Sequence, residues 1–535
     1  MTESRAPDGA IDHKQSDTGK RPETQRSSLL RSSSIVSVLT LLSRVLGLVR
    51  DVVVAQYFGT RIDAFLVAFK IPNFFRRLFA EGAFSVAFVP VLSEYRTQRT
   101  LNEVQLLVAR VSGVLGVVLL GVTVLAILFA DYLPWLFAPG FRQDLDKFAL
   151  TGELLRITFP YLLFIALTAF SSSVLNSYGR FAVPAFTPVL LNVSLIGVTF
   201  LGLDYFEEPL FALAWGVFFA GLVQWLFQLP FLARLQLLVR PQFRPDDEGV
   251  RRIGTLMIPA LFGVSVSQIN LLLDTVLASF LESGSVSWLY YADRLNNLPL
   301  GIFAIAIGVV ILPALSSRHA EQQQDGFADT LDWAIRMVFL LALPAALALA
   351  VLAEPLMATI FYHGAITEYD IVQMSLALQA YASGLLAFMM IKVLAPGYYA
   401  RQDTKTPVKI GIQAMVVNMV LNLALVFPFE HVGLALATAL SSYFNAFMLY
   451  RGLRQKGVYR PSPGWGRFSI RLLIANVSLV GVALLLAGHS QQWLRWTAWD
   501  RITQMTVVVL AGVSVYFLIL VLVGLRPRHL RGAQF

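Results

Sequence analysis

Apolar residues in this chain come in long runs separated by short polar connectors that are often basic. A helix needs about 20 apolar residues to cross roughly 30 Å of hydrocarbon, so each such run predicts a membrane span. Fourteen runs qualify, at 34–56, 62–93, 108–130, 153–177, 184–203, 209–233, 253–281, 286–315, 333–357, 371–399, 407–428, 432–450, 468–488 and 503–525. The second and eighth are unusually long and broken by prolines. The pattern therefore predicts an all-α polytopic membrane protein of about fourteen transmembrane helices.

Composition agrees: 56% of the 535 residues are hydrophobic and only 14% charged, the balance of a membrane protein and not of a soluble globule. The absence of cysteine excludes disulfides, thiolate metal sites and thiol catalysis. A net charge of +9 would suggest nucleic acid in a soluble protein. Here the cations concentrate in short connectors, where they act as topology signals, and nucleic-acid binding is not expected. If the amino terminus is inside, the inner loops and carboxyl tail hold 23 Lys and Arg against six in the outer loops. That asymmetry predicts both termini in the cytoplasm. Residues 1–33 are polar, mixed in charge and lack an apolar core, so they read as a disordered cytoplasmic tail, not a signal peptide.

A faint internal repeat runs with an offset of six spans. Val183–Leu195 echoes Thr406–Leu423, Phe88–Ser93 echoes Ile311–Ser316, and Ala68–Ile71 can be set against Ala292–Leu295. An even offset keeps the orientation, so the two halves form a parallel repeat of the kind transporters use. Spans 13 and 14 are left over as an appendage.

Charge inside the spans changes the picture most. Arg44, Arg50, Lys70, Arg76 and Arg77 fall in the first two spans, and Arg294 and Lys392 in later ones. A cation at mid-bilayer costs about 2.5–3.5 kcal/mol on insertion scales, so seven of them predict a polar chamber and an anionic substrate. Voltage sensors space arginines every third residue, and this chain does not. Pro72 removes a backbone donor and frees the carbonyl of Ala68. Arg77 can pair with Glu81 or Asn73 at a spacing of four, which leaves Arg76 without a carboxylate on its helix. Asp51 lies two turns from Arg44; Arg50 and Asp51 also read as markers of the span's outer end. Asp293 and Arg294 are adjacent and cannot face each other, so one of them, Arg294, is expected to line the chamber. Guanidinium suits phosphate because it offers two parallel donors and stays charged. Asp274, Asn418, Asn422 and Thr438 bring carboxylate, amide and hydroxyl oxygens to mid-membrane, which suits Na⁺ or a proton; packing between helices accounts for the asparagines and threonine equally well. Histidines are scattered, and no nucleotide loop or nucleophile elbow occurs, so no enzymatic site is expected.

Phe75–Ser85 (FRRLFAEGAFS), Ser287–Leu295 (SWLYYADRL) and Val393–Lys409 (VLAPGYYARQDTKTPVK) resemble the MurJ (MviN) family of bacterial lipid II flippases, in the multidrug/oligosaccharidyl-lipid/polysaccharide exporter superfamily. The resemblance runs from about Leu29 through the last span. It implies a transporter of undecaprenyl-pyrophosphate-linked peptidoglycan precursor in the bacterial inner membrane, driven by Na⁺, a proton or the membrane potential, and acting alone or within a cell-wall synthesis complex. It implies two six-helix lobes around a cationic cavity, at 34–233 and 253–455, joined by a cytoplasmic linker at 234–252. An appendage at 456–535 would form a groove for the lipid tail. By motif, the family's essential cavity residues fall on Arg44, Arg50, Arg76, Arg294 and Asp63, and its secondary ones on Ser43, Asn73, Arg77, Glu81 and Ser287. The sodium site of some members falls on Asp274, Asn418, Asn422 and Thr438, with a backbone carbonyl near Leu434. The residues add one expectation of their own: a carboxylate in a pyrophosphate chamber repels its substrate, so Asp63 would hold cavity arginines until substrate displaces it.

Overall fold

The computed structural model describes residues 23–525. Among them there is no β-strand. The helices are α1 (Glu23–Phe58), α2 (Asp63–Phe75), α3 (Ser85–Gln98), α4 (Leu101–Leu128), α5 (Leu133–Phe137), α6 (Leu145–Thr158), α7 (Tyr161–Ser177), α8 (Ala182–Leu201) and α9 (Leu210–Arg234) in the first half. The second half holds α10 (Glu248–Ser279), α11 (Ser285–Ala320), α12 (Gln324–Val351), α13 (Ala353–Phe361), α14 (Glu368–Tyr399) and α15 (Lys405–Gln455). Then come α16 (Trp465–Ala487), α17 (Ser490–Arg495) and α18 (Ala498–Leu522).

Nine helices among the described residues are long and apolar enough to cross a membrane. One of them, α15, contains both the eleventh and twelfth predicted spans, broken at Glu430, whose φ of 50° and ψ of −130° leave helical space. Gly433 permits that reversal: a Cβ there would lie 2.2 Å from the Leu425 carbonyl oxygen. The predicted spans outside this set are α1, α2–α3, α10 and α11. They supply every charged side chain that lines the central cavity.

Helix starts follow capping chemistry. Thr100 with Glu103, Thr367 with Asp370 and Thr497 with Asp500 form capping boxes at α4, α14 and α18, satisfying otherwise orphaned backbone donors. Within the second predicted span, α2 and α3 are joined by a π-helical stretch, Arg76–Phe84, four residues after Pro72. The carbonyl of Ala68 that Pro72 frees accepts from Thr158 Oγ1 at 3.2 Å, so the break is compensated by a neighbouring helix.

In the first half α1 packs on α8, α7 on α9 and α2 on α6. In the second, α14 is central, packing on α11, α12 and α15. α10 belongs to both, lying against the π-helical stretch and α3 on one side and α15 on the other. α16 and α18 pair with each other, α16 docking on α12 and α18 on α13. Buried Arg501 fixes the latter, donating to the carbonyls of Ala358 at 2.8 Å and Tyr362 at 3.0 Å.

Candidate functional site: a cationic cavity between the halves

A cavity of about 740 Å³ opens between the two halves. Five cations line it, Arg50, Lys70, Arg76, Arg77 and Arg294, against two carboxylates, Asp274 and Asp293. Lys70 and Arg294, which the repeat sets against each other, both reach it. Both Asp293 and Arg294 line the wall, so the expectation that only Arg294 would do so is corrected: side chains about 100° apart on a helix can both border a wide cavity.

The two halves meet at Asp51. Arg50 Nε and NH2 donate to Asp51 Oδ1 at 3.0 and 2.6 Å, and Arg294 Nε lies 2.9 Å from Asp51 Oδ2. Tyr290 Oη donates to Asp51 Oδ1 at 2.9 Å and is itself contacted by Arg50 at 3.0 Å and Arg294 at 3.2 Å. Asn192 of α8 steadies the set, accepting from Arg50 at 3.1 Å and donating to the backbone carbonyl of Ser43 at 2.9 Å. Two guanidiniums from opposite halves thus converge on one buried carboxylate.

Asp63 does something else. It lies outside the cavity lining, and it holds no cavity arginine, contrary to expectation. Its carboxylate accepts from the backbone of Gly284 at 2.7 Å and Ser287 at 2.9 Å, from Ser287 Oγ at 2.5 Å, and from Lys147 Nζ at 2.9 Å. The physical reason is position: Asp63 begins α2, where it meets the first turn of α11, whose free N–H groups and dipole attract an anion. Lys147 also donates to Ser283 Oγ at 2.9 Å. Nearby, Ala365 N donates to Gln56 O at 2.9 Å and Gly140 N to Ser279 Oγ at 3.1 Å. These contacts clasp the two halves at the end where α2 and α11 begin. Ser287, expected among cavity residues, belongs to this clasp.

Asn73 lines the cavity and accepts from Arg76 Nε at 3.1 Å, a partner three residues away that the spacing argument did not name. Arg44 is not among the lining residues; its guanidinium lies against Gly301 of α11, where a Cβ would meet NH1 at 1.8 Å. Ser43 takes part through its backbone alone in the contacts given above. The side chain of Glu81 lies outside the described residues.

Asp274, Asn418 and Asn422 form one cluster where α10 meets α15. Asn422 Nδ2 donates to Asp274 Oδ1 at 2.7 Å and to Asn418 Oδ1 at 3.0 Å. Asn422 Oδ1 is buried without a hydrogen-bond partner, an orphaned oxygen beside a carboxylate and a second amide. Thr438 donates to Leu434 O at 3.1 Å. The cluster's own oxygens, one carboxylate and two amides, are of the kind that hold a small hard cation. Lys70, donating to Thr275 at 3.0 Å, is near enough to feel Asp274 and Asp293.

Residues 54–501 match the family model described as lipid II flippase MurJ. A Vibrio cholerae protein described as a probable lipid II flippase MurJ is 51% identical over 514 residues, covering 94% of this chain and 98% of its own. A Burkholderia cenocepacia lipid II flippase MurJ is 40% identical over 519 residues, covering 94% and 99%. Among solved structures, a lipid II flippase MurJ in an inward closed conformation superposes with a TM-score of 0.76 at 27% identity, over 90% of this chain and 97% of that one. An inward-facing multidrug transporter of the MATE family, at 13% identity and a TM-score of 0.67 over 79% of this chain and 98% of that one, shares the fold alone.

Proposed function

The chain belongs to the lipid II flippase MurJ family, and from that premise we propose that it carries an undecaprenyl-pyrophosphate-linked disaccharide-peptide from the inner to the outer leaflet of a bacterial plasma membrane. One observation supports this reading above the others: guanidiniums from both halves, Arg50 and Arg294, converge on Asp51 at the wall of a cavity whose charges are mostly positive. A pyrophosphate offers the same guanidiniums the same two-oxygen geometry with more charge, so it competes with Asp51 for them. Arg76, Arg77 and Lys70 add positive charge to the same wall. Asp51, once released, repels the bound phosphate. The closed clasp at Asp63 fits a state loaded from the inner side, with both termini in the cytoplasm. Opening the clasp while the inner side closes would complete alternating access, because substrate changes the contacts of one state and not the other.

A small cation on Asp274, Asn418, Asn422 and Thr438 would neutralise Asp274 in this scheme and so link its binding to the α10–α15 contact. In wild-type protein Na⁺ should raise the melting temperature, and Asp274→Ala should abolish that rise; equal Na⁺ response in both would remove the cation from the mechanism.

An antiporter for cationic drugs on the same scaffold would need a predominantly acidic cavity, and five cations against two carboxylates is the reverse. The flippase reading is tested by depleting the native protein conditionally and scoring lipid II exposure in cells rescued by plasmid copies. Wild type should restore outward lipid II. Arg76→Lys should restore it only in part, because a lysine cannot reproduce bidentate geometry. Rescue of growth with lipid II still facing inward would defeat the proposal.

A further inference from the structure

The cavity wall divides by chemistry. Its charges come from α1, α2, the π-helical stretch, α10 and α11, whereas α7, α8 and α9 contribute hydroxyls and amides and no charge at all. On α7 the lining residues Thr168, Ser172 and Asn176 recur every fourth position, a stripe about 12 Å long at 1.5 Å per residue. Facing it, Gln228 of α9 is fully buried and donates Nε2 to both Ser172 Oγ and Thr187 Oγ1 at 2.9 Å. That amide behaves as packing glue should, since both hydroxyls are its partners.

Gln224, one turn earlier on α9, behaves differently. It borders the cavity and is 2% exposed. Its Nε2 donates to the Thr187 carbonyl at 3.0 Å, but its Oε1 has no hydrogen-bond partner. Buried polar atoms are nearly always satisfied, so this acceptor bordering the cavity is left for a donor supplied from the cavity, a water or a ligand group that replaces it. Ser85 Oγ lies 3.2 Å from Ser173 Oγ, which ties the band to the segment carrying Arg76 and Arg77. The band and the five cations therefore share one cavity.

The ligand portion that fits must be uncharged, rich in both donors and acceptors, and adjacent to the pyrophosphate. Pyranose hydroxyls and acetamido groups meet all three conditions. A peptide ends in a carboxylate, for which the band supplies no cation. Resting on the flippase reading, we propose that Gln224, Ser172 and Asn176 form a saccharide-binding subsite for the disaccharide attached to the pyrophosphate. Gln228 is a positioning residue that orients Ser172 and Thr187.

Purified full-length protein would be titrated with three lipids: undecaprenyl pyrophosphate, the same lipid bearing the disaccharide, and the full disaccharide-peptide lipid. Wild type should bind both sugar-bearing lipids more tightly than the bare pyrophosphate. The pair of substitutions Gln224→Leu and Ser172→Ala should weaken both sugar-bearing lipids by about tenfold, the loss of one or two good hydrogen bonds, and leave undecaprenyl pyrophosphate unchanged. Ser172→Ala alone, the milder change, should show the same selectivity at smaller size. Equal weakening on all three lipids would make the band structural and overturn the subsite. Weakening confined to the peptide-bearing lipid would overturn it too, by moving the recognition to peptide. Wild type that binds none of the three would overturn the flippase reading and the subsite together, a result distinct from the subsite failing alone.

Discussion

Asp51 and Asp63 are both buried carboxylates that join the two halves of the molecule, yet they are held by different kinds of donor. Asp51 is held by side chains, two guanidiniums and a phenol, all at the wall of the cavity. Asp63 is held mainly by the first turn of α11, through two backbone amides and a serine hydroxyl, with Lys147 closing the ring. Guanidiniums at a cavity wall can be claimed by an incoming phosphate. Backbone amides buried at the end of the molecule cannot, unless the halves separate there. On the flippase reading the first carboxylate is exchangeable with substrate, and the second reports whether the end where α2 and α11 begin is shut. The difference is one of accessibility and donor type, since the charge is the same.

The sharpest way to break this comparison is Asp51→Asn. Removing one member of a buried ion pair commonly costs about 3–5 kcal/mol, because the partner charges are left uncompensated. Arg50 and Arg294 would then repel each other when no lipid is present and bind pyrophosphate without a competitor. The expected outcome is loss of rescue in the depletion assay with lipid II affinity kept or increased. Normal lipid II export by Asp51→Asn would mean that Asp51 is a static strut.

A smaller effect is expected from Asp63→Asn. The amide keeps one acceptor oxygen for α11 but loses the charge that attracts Lys147 and the helix dipole. Weakening a charge-assisted network by about 1.5–3 kcal/mol should raise the open population at the outer end by tenfold or more. The chain has no cysteine, so Val286→Cys, buried just beyond the clasp, can report this directly. Its labelling by an impermeant maleimide from the outer side should speed up in the Asp63→Asn background and change less with Ser287→Ala. Unchanged labelling would show that the clasp does not control the outer end.

Much of this was legible in sequence because it is local. The Ala68 carbonyl freed by Pro72 could be named in advance, and so could a cavity wall carrying Arg50, Lys70, Arg76 and Arg77, though not Arg44, which turns to Gly301 instead. Tyr290 sits four residues before Arg294 on one helix face, a spacing that could have revealed their contact. What was not legible is non-local or conformational. Lys147 lies 84 positions from Asp63, in the first turn of α6, where a lone lysine carries no signal. The pairing of Arg50 with adjacent Asp51 runs against helical geometry; it occurs because Tyr290 and Arg294 approach from the other half and anchor the carboxylate. The π-helical turn at Arg76–Phe84 shifts the phase of every later side chain in that span, so spacing arguments made with an α-helical period do not carry through it.

A third carboxylate extends the comparison to the surface and predicts the smallest effect. Asp403 lies in the turn between α14 and α15, accepting from Lys456 Nζ at 2.8 Å and from Thr406 N at 3.0 Å and Oγ1 at 2.8 Å. The Lys456 hydrogen bond, followed by those from Thr406, lowers its carboxyl from 3.8 to about 2. A carboxyl lowered in the folded state stabilises fully above its ordinary value and loses that contribution as pH falls through the folded one. Asp403→Asn should therefore lower the melting temperature slightly and by a constant amount between about pH 5 and pH 8. The gap to wild type should narrow below pH 3.8 and close near pH 2. Lipid II export should be unaffected, because Asp403 is remote from the cavity lining and no substrate competes for Lys456. A gap that changes around neutral pH, or loss of export without loss of stability, would give this turn a share in the transport cycle. Asp403 would then stand with Asp51 and Asp63, and donor type alone would no longer separate the working carboxylates from the structural one.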